Sequence, residues 1–143
     1  MKANDSFCLD IDAEVARLPE VITFLDEYLQ KLSITKKELA QIRIVEEEIF
    51  VNIAEYAYKP DTGKVSVSGY ISEDDNSISI TFIDSGERFD PLQHEDPDIK
   101  AQKRIKGGMG ILYVKKKVDD IRYSYEDGKN KLTILKKFRK DDT

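Results

Sequence analysis

Cysteine is almost absent from this chain: Cys8 stands alone, which excludes an intramolecular disulfide framework. No apolar run approaches the roughly 20 residues that a membrane-spanning helix requires. The first ten residues, MKANDSFCLD, lack the apolar centre of a secretory signal. Basic residues are in the minority as well, with 23 Lys and Arg against 28 Asp and Glu, a net charge of −5 and a pI near 5.0. That balance argues against a general affinity for nucleic acid, which needs a basic face to displace counterions, and leaves room only for a local basic patch. The expectation is a cytoplasmic protein with no membrane and no direct nucleic-acid partner. Glycine is scarce too, at seven residues, yet three of the seven fall at 107, 108 and 110.

What is present describes a globular protein. The 143 residues are 40% hydrophobic and 36% charged, enough for one compact domain covering 1–143 with a real core. FCLDI alternates apolar and polar, predicting a first strand over Phe7–Ile11. Pro19 stands at a helix start, and Val21, Ile22, Leu25, Tyr28, Leu29 and Leu32 recur at helical spacing to about Leu32. Thr35 with Glu38 forms a capping-box pattern, opening a second helix that Leu39, Ile42, Val45, Ile49 and Ile53 carry to about Tyr58. Alternation in Val65–Ile71 and Ile78–Phe82 around Glu73–Asn76 predicts a hairpin. Residues 84–106 show no period and contain Pro91 and Pro97, as a functional loop would. A third helix is expected from Gly110 to about Asp119, followed by strands Ile121–Tyr125 and Leu132–Phe138 across the turn Asp127–Asn130. This order predicts an α+β fold with helices on one face of a mixed, largely antiparallel sheet.

Three segments hold candidate chemistry. Glu48 and Asn52 are four apart, so they project from one helix face about a turn from each other. An amide oxygen is a hard donor suited to Mg²⁺, which takes further ligands from water and phosphates, and a carboxylate nearby can act as base on a hydroxyl. Ordinary solvated helix faces carry the same pair. Asp84 ends an apolar strand in IDSGERFDPL, with Gly86 two residues on. A strand-end carboxylate accepts from an exocyclic amine such as that of adenine, and glycine lets a flat ring approach; Asp-Ser-Gly is equally plain turn composition. In RIKGGMGILYVKKK the glycines precede a helix whose free N–H groups and positive dipole end favour an anion, with Lys103, Arg104 and Lys106 adding countercharge. The segment is neither a Walker A loop nor a dinucleotide fingerprint. Taken alone, it reads equally as a ligand-free hinge.

In this order the three segments resemble the N, G1 and G2 boxes of the GHKL ATP-binding superfamily. The single-domain form is similar to the anti-sigma factor serine/threonine kinases of the RsbW and SpoIIAB type. The resemblance runs from about Leu18 to Phe138 and implies a Bergerat-type two-layer α/β sandwich with ATP and Mg²⁺ as cofactors. By that resemblance Glu48 matches the general base that activates a partner's serine, Asn52 the Mg²⁺ ligand, Asp84 the adenine-binding aspartate and Gly86 the glycine beside it. Lys106, Gly107, Gly108, Met109 and Gly110 fall in the phosphate-contacting box, where Gly108 and Gly110 match its hinge glycines, and residues 92–106 form the ATP lid. The implied partners are a small STAS-type anti-sigma-factor antagonist, as phosphoacceptor, and a sigma factor that the protein sequesters. A homodimer is implied as well.

This chain departs from the family pattern in three places. Arg88 replaces the second G1 glycine and is a candidate for reaching a phosphate or the ribose. Tyr56 replaces a histidine that the family often has four residues after the Asn52 position. Glu46, Glu47 and Glu48 are consecutive, so a shifted register makes Glu47 a rival base; the spacing to Asn52 favours Glu48. An alternative to the kinase is a nucleotide-gated protein-binding module of the same fold. A sensor histidine kinase is disfavoured, since the one histidine, His94, lies in the lid. His94, with Glu95, Asp96 and Asp98 around it, reads as solvated, Cys8 as a small buried hydrophobe, Lys115–Lys117 as a solvated helix face, and Tyr123 with Tyr125 as cross-strand packing.

Overall fold

Alternation decides the first strand. β1 (Asn4–Asp12) buries Phe7 and Ile11 on one face and turns Ser6, Cys8 and Asp10 to the other. The structure, a computed structural model, describes residues 4–59, 61–92 and 109–139. Cys8 is therefore exposed rather than buried, with its Sγ 3.8 Å from Ser66 Oγ. The inward positions beside it already belong to larger apolar residues.

After a short 3₁₀ turn (Val15–Arg17), α1 (Leu18–Leu29) carries its proline in the first turn and buries Val21, Leu25 and Leu29 at i, i+4 and i+8. It stops short of Leu32, where tighter bonds close the helix: Lys31 N–H to Tyr28 O and Leu32 N–H to Leu29 O, both 3.0 Å. α2 (Lys36–Asn52) opens on the expected capping box. Thr35 Oγ1 accepts from Glu38 N–H at 3.1 Å, and Glu38 returns a carboxylate oxygen to the Thr35 N–H at 3.5 Å. The helical path does continue to Ala57, but its last turn, Ile53–Ala57, is π-helical, a geometry that recurs at functional sites.

β2 (Lys64–Ser72) and β3 (Ser77–Asp84) form the first hairpin. α3 (Met109–Lys117) follows, and β4 (Asp120–Glu126) and β5 (Lys129–Lys137) form the second. The second turn is tighter than Asp127–Asn130. Asp127 and Gly128 alone make it, both with positive φ (53° and 74°), the pattern of a two-residue type I′ turn, while Glu126 pairs with Lys129. Lys129 and Asn130 are thus strand residues.

The strands lie in the order β1-β2-β3-β5-β4. All four pairings are antiparallel, so among the described residues the sheet has no parallel pair and is simpler than the mixed sheet expected. One face packs on the helices. Val65, Val67, Ile71, Ile78, Ile80, Phe82, Leu132 and Ile134 meet Val21, Leu25, Ile42, Val45, Ile49, Phe50 and Val114 in one core, each buried side chain contributing about 1.5–3 kcal/mol. The other face is lined by small hydroxyls, among them Thr81 and Thr133, bonded to each other at 3.0 Å. No helix among the described residues is long and apolar enough to cross a membrane.

The Asn76 side chain ties the far end of the sheet together. Its amide donates to Ser33 O and Phe138 O and accepts from Ser33 N–H, each at 2.9 Å.

Candidate functional site

At the other end of the sheet, β3 finishes and β5 begins beneath the C-terminal half of α2. A narrow cleft opens there. Its walls are Ile49, Asn52 and Ile53 from α2 and its π turn, Ile111 from α3, and Phe89 and Pro91 from the loop after β3. Phe82, Asp84, Tyr123, Asn130 and Leu132 supply the sheet side. Apolar walls with a few convergent polar groups suit a flat heteroaromatic ligand.

Asp84 is the acidic group of this cleft, 3% exposed at the end of β3. Its Oδ1 accepts from Gly86 N–H and from Asn130 Nδ2, both at 3.0 Å. Oδ2 has no donor among the described residues and is not sealed from solvent, since Glu46 alone has sealed, unpartnered oxygens there. An ionised carboxylate accepts and does not donate, so the group this oxygen could take is a donor.

Asn130 organises the surroundings. Besides Asp84, its Nδ2 donates to Glu87 O at 2.9 Å and Gly86 O at 3.4 Å. Its Oδ1 accepts from Phe89 N–H at 3.0 Å and from the Tyr123 hydroxyl. One buried amide therefore fixes the carboxylate, the loop 86–89 and the cleft-side tyrosine together. Burial pushes the Tyr123 phenol up, which keeps it a donor. Sequence reasoning left Asn130 in the turn and Tyr123 as packing. The missed signal is the alternation Asn130, Leu132, Ile134, which turns Asn130 inward once the turn is confined to two residues.

Gly86 is close to protein rather than to open space. A Cβ there would lie 2.1 Å from Ala57 O, and the neighbouring Glu87 N–H donates to that carbonyl at 3.0 Å. The π turn delivers this carbonyl, so loop 85–89 is hung from the end of α2.

The three consecutive glutamates separate by 100° steps of the helix. Glu46 is fully buried with neither carboxylate oxygen bonded, and burial, reinforced by Asp26, raises its pKa well above the ordinary value. Glu47 is exposed. Glu48 is partly buried against the first turn of α3, beside Gly110, and burial followed by the neighbouring Glu47 raises its pKa. Position 46 lies four after Ile42 and three before Ile49, inside the apolar stripe, and that spacing was the overlooked sign.

The predicted residues therefore divide. Asn52 and Asp84 share the cleft, and Glu48 stands one turn of α2 before Asn52. Arg88 is exposed, with its guanidinium carbon 5.0 Å from the centre of the Tyr125 ring, and does not line the cleft. Gly110 is buried in α3. Lys106, Gly107, Gly108, His94 and the lid from 93 to 106 lie outside the described residues, and Met109 is described in its backbone alone. No group of three His, Cys, Asp or Glu among the described residues could hold a metal.

Among curated proteins, none matches the chain. Among solved structures it is similar to the crystal structure of the RsbU and RsbW domains of Rv1364c from Mycobacterium tuberculosis, at 17% identity and a TM-score of 0.65. The likeness is one of fold and covers 96% of this chain but 34% of that one, so this chain spans about a third of its length. The model of the histidine kinase-like ATPase domain matches residues 11–136, from the end of β1 to the end of β5, and on that match the chain belongs to the histidine kinase-like ATPase domain family.

Proposed function

We propose that the protein binds Mg·ATP in the cleft above Asp84 and transfers the γ-phosphoryl group to a serine or threonine of a small anti-sigma-factor antagonist of the STAS type. In the same reading it sequesters a sigma factor between phosphorylation events and works as a homodimer. The observation that carries the reading is the fixed Asp84 carboxylate in an apolar cleft, with Asn52 on the wall and Glu48 one helical turn away.

Each residue then has a physical task. The free Asp84 oxygen accepts from the adenine amine, while Ile49, Ile53, Phe82 and Ile111 exclude water from the ring. Asn52 offers an amide oxygen of the kind Mg²⁺ takes. Glu48, whose carboxyl is raised by burial, takes the proton of the incoming hydroxyl. Bound Mg·ATP supplies the phosphoryl group and the countercharge, and phosphoryl transfer asks little more of the protein than position and electrostatics.

The test is equilibrium binding of ATP and ADP, with and without Mg²⁺, followed by transfer of labelled phosphate to the cognate antagonist. Asp84→Asn should abolish binding, Asn52→Ala should remove the Mg²⁺ dependence, and Glu48→Ala should bind yet transfer at least a hundredfold more slowly, about 2.7 kcal/mol. Nucleotide-dependent capture of a partner that leaves no phosphoprotein would select the binding module instead.

A further inference from the structure

Gly110 has no evident conformational reason to be glycine. It lies in α3, and its φ is not positive; among the described glycines only Gly128 has a positive φ. Alanine is the better helix former at such a place. What distinguishes the position is its neighbour. A Cβ built on Gly110 would lie 2.1 Å from Glu48 Oε2, 2.9 Å from Glu48 Cδ and 3.4 Å from Glu48 Cγ. The first two distances are far inside van der Waals contact, so the Glu48 carboxylate fills the space a side chain at 110 would need.

We propose that Gly110 is a positioning residue for Glu48: the missing side chain is a notch in the first turn of α3 that holds the carboxylate between the helices. The role of Glu48 as base rests on the function proposed above, whereas the steric relation stands apart from it. The atom that must yield is the end of a flexible side chain rather than backbone, so Gly110→Ala keeps the fold and moves the carboxylate. This differs from a glycine kept bare for a phosphate, because the effect of substitution then depends on what occupies position 48.

The experiment is a double-mutant cycle on the intact chain. Thermal midpoints are measured for wild type, Gly110→Ala, Glu48→Ala and the double variant, and phosphate release from saturating Mg·ATP is measured on the same set plus Glu48→Asp and Gly110→Ala/Glu48→Asp. Saturation removes any change in affinity from the comparison. Gly110→Ala should raise the midpoint by more degrees in the Glu48→Ala background than in wild type, because the methyl group meets no carboxylate there. Phosphate release should fall at least tenfold in Gly110→Ala and recover at least threefold when Glu48→Asp is added, which draws the carboxylate back by one methylene. Carbon-13 titration of the Glu48 carboxyl should move toward the ordinary carboxylate range in Gly110→Ala, since the displaced group is better solvated. Additive midpoints, or an unmoved titration, overturn the inference. A wild type that releases no phosphate shows only that water does not replace the serine hydroxyl as acceptor, and the midpoints and the titration then decide the positioning.

Discussion

Asn130 stands directly opposite Asp84 in the β3–β5 ladder and donates its amide to Asp84 Oδ1 at 3.0 Å. With the Gly86 N–H on the same oxygen, the carboxylate is held at one rotamer, and its other oxygen has no donor among the described residues. Asn130→Ala removes that restraint and the anchor of residues 86–89 together. Calorimetric titration should show ATP binding weakened about tenfold, roughly 1.4 kcal/mol. Asn130→Asp should be worse, because two carboxylates then face each other and one must take up a proton. Wild-type affinity in Asn130→Ala would mean that Asp84 is oriented by other groups.

Much of this site was legible because its residues sit on regular elements. Glu48 and Asn52 follow from helical spacing and Asp84 from a strand's alternation, so their relation to the core was readable before any coordinates. Asn130 escaped because Lys129 and Asn130 look like turn residues, and only the positive φ of Asp127 and Gly128 shows that two residues suffice. The burial of Glu46 escaped because a charged residue on an apolar stripe contradicts its chemistry, and sequence carries no sign of the proton that resolves the conflict. Arg88 is a candidate ligand group from its place in the glycine box; its contact with the ring of Tyr125 on β4 joins segments far apart in the chain and is not legible in the sequence.

That buried acid makes stability depend on pH. Glu46 has no hydrogen-bond partner, and the charges acting on it are Asp26 from α1 and Arg43 from α2, which are paired with each other. Its folded pKa lies above the ordinary 4.5, so the protonated form favours the fold. This contribution is fully present below about pH 4.5 and is lost as pH rises through the raised value. Urea midpoints for wild type should therefore fall over that window relative to Glu46→Gln, which has no proton to lose. At pH 7 Glu46→Leu should be more stable than wild type by about 1–3 kcal/mol. Parallel pH profiles for wild type and Glu46→Gln would show that the carboxyl ionises at no cost.

Asn76 binds two other segments at the other end of the sheet, at Ser33 and Phe138, and sits at a φ of 51°, which asparagine tolerates better than most residues. Asn76→Ala should cost about 2–4 kcal/mol, since it leaves the Ser33 and Phe138 backbone groups unpaired and keeps the unfavourable φ. Asn76→Gly should recover part of the loss by relieving φ alone. ATP affinity should be unchanged in both, because the site is at the opposite end of β3. Chemical denaturation with a parallel nucleotide titration separates the two effects, and a loss of binding in either variant would couple the ends of the sheet.

Two glycines set the last comparison. At Gly86 an added methyl group meets the Ala57 backbone, 2.1 Å from its oxygen and 2.6 Å from its carbonyl carbon, and backbone at a helix end cannot turn aside as a side chain can. At Gly128 the added methyl group meets nothing within 4 Å, but φ is +74°. Gly128→Ala should cost about 1 kcal/mol through φ alone and leave binding intact. Gly86→Ala should cost about 1–3 kcal/mol, because it separates loop 85–89 from the π turn. It should also weaken ATP binding, since the Gly86 N–H that helps to hold Asp84 moves with the loop. Urea midpoints give the first quantity and calorimetry the second. Equal affinities in the two variants would show that the suspension of this loop from α2 does not govern the cleft.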